Sequence, residues 1–184
     1  MEQEKLLLKL GKILGKLKIP YLISGGIAVV VWGRPRFTAD IDIVVEISPE
    51  KLDALATELL AIDKDVYVDR ETMEEALKKA GEFNFIHPAS GLKVDFWIFK
   101  NDDFDKERMK RRIKKQIAGQ KLYFSSPEDL ILIKLLWFKD SQSTRQLEDI
   151  SSILRIQDKL NISYIKKWAK RQRTLDVFEN LLKT

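Results

Sequence analysis

The run Tyr21-Leu22-Ile23-Ser24-Gly25-Gly26, continuing through the apolar stretch Ile27–Trp32 and Gly33 to Asp40-Ile41-Asp42-Ile43, decides how this chain is read. A short apolar segment broken by two glycines predicts a buried strand that turns sharply. Ile27–Trp32 then predicts a short buried helix closed by Gly33, and a second strand is expected from about Phe37 to Glu46. Side chains alternate along a strand, so Asp40 and Asp42 project to one side while Ala39, Ile41 and Ile43 lie on the other. Two like charges on one face repel, and aspartate is depleted from strands, so the pair is costly unless a cation offsets it. The paired glycines supply the complement, because a backbone without side chains lets phosphate oxygens approach the amides at a helix N-terminus. Taken singly, the glycines also read as an ordinary tight turn and the aspartates as a solvated edge face.

Outward from this stretch the punctuation gives an alternating plan. Leu6, Leu10, Ile13, Leu14 and Leu17 recur at helical spacing before Pro20. Ser48-Pro49-Glu50 predicts a helix start, with Leu52, Leu55, Ala56, Leu59 and Leu60 as its apolar face. A short strand is expected at Val66-Tyr67-Val68, then a helix over Thr72–Lys79 ended by Gly81. The segments around Phe83–His87 and Leu92–Phe99, joined by Pro88-Ala89-Ser90-Gly91, read as an antiparallel hairpin. A charged segment from Asp102 to Lys115 leads through the turn Ala118-Gly119-Gln120 to a strand at Leu122-Tyr123-Phe124. Ser126-Pro127-Glu128-Asp129 opens a helix, and everything beyond reads helical, divided near Asp140-Ser141, Asn161-Ile162 and Arg173-Thr174. The expected fold is α/β (α+β): a mixed sheet core with flanking helices over residues 1–125 and a C-terminal helical extension over 126–184 packed on that core.

Composition removes whole classes of chemistry. With 184 residues and 45% hydrophobic content the chain can bury a real core. It has no cysteine and a single histidine, His87, which excludes disulfides, thiolate metal sites, cysteine nucleophiles and zinc sites built on imidazoles. Any metal chemistry must rest on carboxylates, which suit Mg2+ or Mn2+. The net charge of +5 permits a nucleotide or nucleic acid partner. No apolar run is long enough to span a bilayer and the start, Met-Glu-Gln-Glu-Lys, lacks a leader pattern, so a cytoplasmic location is expected.

The joint pattern of hydrophobic strand, Gly25-Gly26, short helix and Asp40-Ile41-Asp42-Ile43 resembles the signature of the nucleotidyltransferase superfamily that includes DNA polymerase beta. Arg36-Phe37-Thr38-Ala39, leading into the aspartates, is similar to the small bacterial and archaeal members. The resemblance implies a third carboxylate on the return strand of a hairpin, and Lys93-Val94-Asp95-Phe96-Trp97 offers Asp95. It further implies two-metal transfer of a nucleotide from a triphosphate such as ATP. Asp40 and Asp42 would bridge the ions and Asp95 would bind the one at the attacking hydroxyl, while Ser24, Gly25, Gly26, Arg36 and Thr38 would hold the nucleotide.

Pro127–Leu135 with Arg145 and Asp149-Ile150 resembles the minimal nucleotidyltransferases, including the toxins of abortive-infection systems, which makes Lys134 and Asp149 further nucleotide-site candidates and Arg145 a weaker one. Those toxins show Arg-x-Lys-Asp where this chain has Arg145-Gln146-Leu147-Glu148-Asp149, and an Arg145–Asp149 ion pair one helical turn apart is an equal reading. The resemblance leaves the acceptor open between RNA such as tRNA, a protein and a small molecule. A toxin, an antitoxin or regulatory partner of a helical toxin, and a resistance enzyme of the aminoglycoside or lincosamide type all share the pattern. The basic run Lys106, Arg108, Lys110, Arg111, Arg112, Lys114, Lys115 reads as a solvated helix face, Trp32, Trp97, Trp137 and Trp168 as core or interface, and His87 as structural.

Overall fold

The computed structural model describes residues 3–183; Met1 and Glu2, on which the reading of the N-terminus partly rests, lie outside them. Helix α1 (Gln3–Lys16) buries Leu6, Leu7, Leu10 and Leu14, and strand β1 (Tyr21–Ile23) follows fully buried. Helix α2 (Gly25–Trp32) already begins at the paired glycines, so these form its first turn instead of a separate break. Strand β2 is Asp40–Val45, shorter than the expected Phe37–Glu46. The reason lies in the preceding loop: Arg36 is drawn away to Asp149, and the Phe37 carbonyl accepts hydrogen bonds from Arg36 and Arg145 rather than from a neighbouring strand.

Helix α3 (Pro49–Leu60) starts where the serine and proline signal it. Val66–Val68 shrinks to an isolated bridge between Tyr67 and Ile86, outside any strand ladder. Helix α4 (Arg70–Lys79) is capped by the Asp69 carboxylate, which accepts from the Thr72 amide, and it ends on Ala80 in the left-handed region instead of on Gly81. Strands β3 (Glu82–His87) and β4 (Leu92–Ile98) form the expected hairpin around Gly91, whose φ of 65° closes the turn.

The charged segment divides into helix α5 (Asp103–Arg111) and strand β5 (Ile113–Ile117), which pairs antiparallel with β6 (Gln120–Phe124). Its basic residues are not uniformly solvated, which corrects the reading of a free basic face. Arg108 is buried on Asp105 at 2.7 Å, and Arg111 reaches Glu128 and Asp129 while stacking over the Tyr164 ring. Helices α6 (Pro127–Ser141), α7 (Thr144–Ile156), α8 (Ile162–Gln172) and α9 (Leu175–Leu181) complete the chain, and Ser126 caps α6 by accepting from the Asp129 amide.

The strands form one mixed sheet in the order β3-β4-β2-β1-β6-β5. One of its faces carries Ile23, Ile41, Ile43, Val45, Val94, Phe96, Leu122 and Phe124 into the main core, together with Leu130, Ile131, Leu135, Ile150 and Ile153 of the C-terminal helices. The opposite face holds a small cluster of Leu22, Val44 and Met109 with Trp97 packed beside it, and the candidate acids lie on this second face. Among the described residues no helix is long and apolar enough to cross a membrane.

Candidate active site

Two neighbouring strands, β2 and β4, carry the acids. Within β2, Asp40 and Asp42 share a face by alternation, and β4 runs parallel to β2 with Asp42 directly opposite Asp95 and Asp40 opposite Lys93. Asp95 therefore projects from the sheet on the side of the other two acids, as the sequence reading requires. The arrangement is electrostatically expensive. Burial raises the proton affinity of the Asp42 carboxyl, and the charges of Asp95 and Asp40 raise it further, against a hydrogen bond from Trp97 and the positive charge of Lys134. Trp97 Nε1 donates to Asp42 Oδ1 at 3.3 Å, and its indole lies 6.4 Å from that of Trp137.

Ser24 joins β1 to α2. Its amide donates to the Asp42 carbonyl at 2.9 Å, while its hydroxyl is buried with no hydrogen-bond partner among the described residues. Gly25 has φ of +57°, and a Cβ there would lie 1.8 Å from Asp42 Oδ2. A Cβ on Gly26 would meet Thr38 Oγ1 at 2.2 Å. The glycines thus do more than turn the chain: they let the Asp42 carboxylate and the Thr38 side chain lie directly against the first turn of α2. The first-turn amides and the positive end of the helix dipole thereby lie beside the acids.

A second charged group backs the first. Lys134 and Asp149 are almost wholly buried, with the lysine Nζ 2.7 Å from Asp149 Oδ2 and 2.9 Å from Gln146 Oε1. Arg36 closes on the same carboxylate bidentately, Nε and Nη2 each at 2.7 Å. Burial alone would raise the pKa of Asp149, but its bonds to Arg36 and Lys134 and their charges outweigh it and hold the acid below the usual carboxylate range. For Lys134 burial prevails, and its pKa is lowered despite Asp149. The alternative pairing of Arg145 with Asp149 is not found; Arg145 donates to the Phe37 carbonyl at 3.0 Å. Arg34, Arg36, Arg155, Ser151 and Ser152 line a cleft of about 480 Å³ beyond this ion pair.

The donor set suits a hard divalent cation in its chemistry: carboxylate oxygens from neighbouring strands, an unsatisfied buried hydroxyl and a side-chain-free approach. Among the described residues, no group of three acidic or histidine side chains is gathered into a ligating arrangement as it stands. Asp95 Oδ1 lies 2.7 Å from Lys93 Nζ as an ion pair outside hydrogen-bond geometry, so this buried oxygen, like the Ser24 hydroxyl, has no hydrogen-bond partner among the described residues. Two residues of this site escaped the sequence reading. Lys93 and Trp97 flank Asp95 at two-residue spacing, so strand alternation alone would have placed both on the acid face. His87 is buried, with Nδ1 2.7 Å from Ser90 Oγ, in keeping with its structural reading.

Sheet order, acid register and glycine turn together define a nucleotidyltransferase fold, and the neighbouring solved structures carry the same one. The chain is similar to the antibiotic-resistance factor ANT(2'')-Ia in complex with adenylyl-2''-tobramycin, at TM-score 0.62 and 16% identity over 93% of this chain and 97% of that one. It is also similar to an antigenic nucleotidyltransferase-like protein from Paracoccidioides brasiliensis, at TM-score 0.58 and 20% identity over 97% and 91% of the two chains. A third likeness is to the lincosamide antibiotic adenylyltransferase LnuA bound to lincomycin, at TM-score 0.56 and 14% identity over 85% and 98%. No family model and no curated protein matches the sequence.

Proposed function

We propose that this protein is a divalent-cation-dependent nucleotidyltransferase that moves a nucleoside monophosphate from a triphosphate to a hydroxyl acceptor. The observation that supports it most is the in-register placement of Asp42 opposite Asp95, with Asp40 on the same face and Gly25 held against Asp42.

Mg2+ or Mn2+ held by Asp40, Asp42 and Asp95 would supply the positive charge that the triphosphate and the attacking hydroxyl need. The chain's own groups do the rest. Amides of the Gly25-Gly26 turn and the buried Ser24 hydroxyl grip phosphate oxygens at the start of α2. Lys134, fixed by Asp149, adds a positive charge that Asp42 already feels. Thr38 borders the same turn, and Arg36, held on Asp149, would add a second positive charge for the nucleotide. The acceptor oxygen attacks the α-phosphorus in line; the new O–P bond forms as the bond to the β-phosphate oxygen breaks, pyrophosphate leaves, and Asp95 accepts the hydroxyl proton.

For the acceptor, RNA such as tRNA, a protein and a small molecule all meet the chemical requirement. The small-molecule reading draws support from the near full-length likeness to two proteins holding adenylyl-2''-tobramycin and lincomycin. A role within a toxin–antitoxin pair rests on the resemblance of Pro127–Leu135 and Asp149 to the toxins, whose active lysine and aspartate would correspond to the buried Lys134–Asp149 pair. Incubation of the purified protein with each α-labelled triphosphate, Mg2+ and in turn tRNA, cell extract, an aminoglycoside and a lincosamide tests the reading. Label on one acceptor class, lost in Asp42→Ala, is expected; no transfer from any triphosphate to any acceptor would contradict it.

A further inference from the structure

Lys93 lies at the edge of the acid face. It alternates with Asp95 on β4 and stands opposite Asp40 in the parallel register with β2, so both neighbouring acids are within its range. Its ammonium is 2.7 Å from Asp95 Oδ1. The site's other lysine is built differently: Lys134 is 3% exposed and clamped by Asp149, whereas the Lys93 side chain is 41% exposed. One positive charge is therefore fixed and the other is free to swing into water.

We propose that Lys93 is the internal counter-ion of the acid face, holding Asp95 while the site lacks a cation and yielding that carboxylate when a divalent ion enters. This rests on the metal-binding reading of the three acids. An ammonium is a strongly hydrated point charge on a flexible stem, so releasing it to solvent costs little; a guanidinium gripping the carboxylate with two parallel bonds would leave less readily. The divalent ion must then displace a bound positive charge, which weakens its apparent affinity relative to the acids alone.

The test compares the wild type with Lys93→Met, Lys93→Arg and Asp42→Asn, following the melting midpoint against added Mn2+ without nucleotide; circular dichroism verifies that each variant is folded. The Mn2+ concentration giving half the full stabilisation should fall about fivefold in Lys93→Met, the upper end of what a half-exposed ion pair is worth. It should rise in Lys93→Arg, and Asp42→Asn should lose the response. Equal half-points in the wild type and Lys93→Met would overturn the role of Lys93 while leaving the metal site standing. No response to Mn2+ in any folded protein would overturn both.

Discussion

Asp42 and Gly25 are coupled as a pair of residues: the carboxylate occupies the space that any side chain at position 25 would fill. Burial and the charges of Asp95 and Asp40 leave the Asp42 pKa raised above its ordinary 3.8, so the folded state prefers the protonated acid. Stability is accordingly lost as pH climbs from that ordinary value through the raised one, and the full cost is present above it. Without divalent ions, Asp42→Asn should melt higher than the wild type at pH 7, the gap closing below about pH 3.8, while transfer falls about a hundred- to a thousandfold. Thermal melts across pH and an initial-rate assay check both halves. Gly25→Ala forces φ of +57° on a residue with a Cβ and drives that Cβ into Asp42. It should cost about 1–3 kcal/mol and abolish transfer. Gly91→Ala, at φ of +65° with open space around it, should cost about 1 kcal/mol and leave transfer intact, measured by urea unfolding beside the same assay. The sequence carried these residues well, because strand alternation and the need for glycine are local properties. Alternation alone puts Lys93 and Trp97 on the face of Asp95, but the hydrogen bond of Trp97 to Asp42 emerges only once β4 is known to lie beside β2.

Among the elements, α6 and α7 meet through the buried Lys134–Asp149 pair, and the loop before β2 is held to α7 by Arg36. Removing the shared acid leaves two cations without their partner, so Asp149→Asn should cost about 3–5 kcal/mol in denaturant unfolding. A loss under 1 kcal/mol would show that the pair is not the tie described. Sequence spacing offered Arg145 as the partner of Asp149 because a residue one turn away is the nearest one that spacing can see. Arg36, far off in sequence, binds instead. Helices that open on serine and proline, such as α3 and α6, were legible at their starts, where these residues act locally. Strand β5 was not legible. It lies at the sheet edge, and its lysines at positions 114 and 115 interrupt the apolar alternation that marks a half-buried strand.

Across the whole molecule, the C-terminal helices share one hydrophobic cluster with the sheet: Leu130, Ile131, Leu135, Ile150 and Ile153 pack in the same core as Ile41 and Phe96. Asp129, fully buried, takes the Tyr164 hydroxyl at 2.6 Å, Ser126 Oγ at 2.6 Å and Arg111 Nε at 3.3 Å, which ties α5, α6 and α8 together. Unfolding should therefore be a single cooperative transition by calorimetry, and two separable transitions would contradict a shared core. The fold class and the helical region 126–184 were legible from periodicity, since apolar spacing reports which faces are buried. The packing of residues 126–184 on the preceding core was expected from their apolar faces, but which residues meet there depends on contacts that no local pattern encodes. The account turns on the acids of β2 and β4 gripping a divalent ion beside the α2 turn. A crystal grown with Mn2+ and a non-hydrolysable triphosphate analogue measures this directly: anomalous scattering should peak between Asp40, Asp42 and Asp95, next to the phosphates, and a peak elsewhere, or none with the analogue bound, would contradict it.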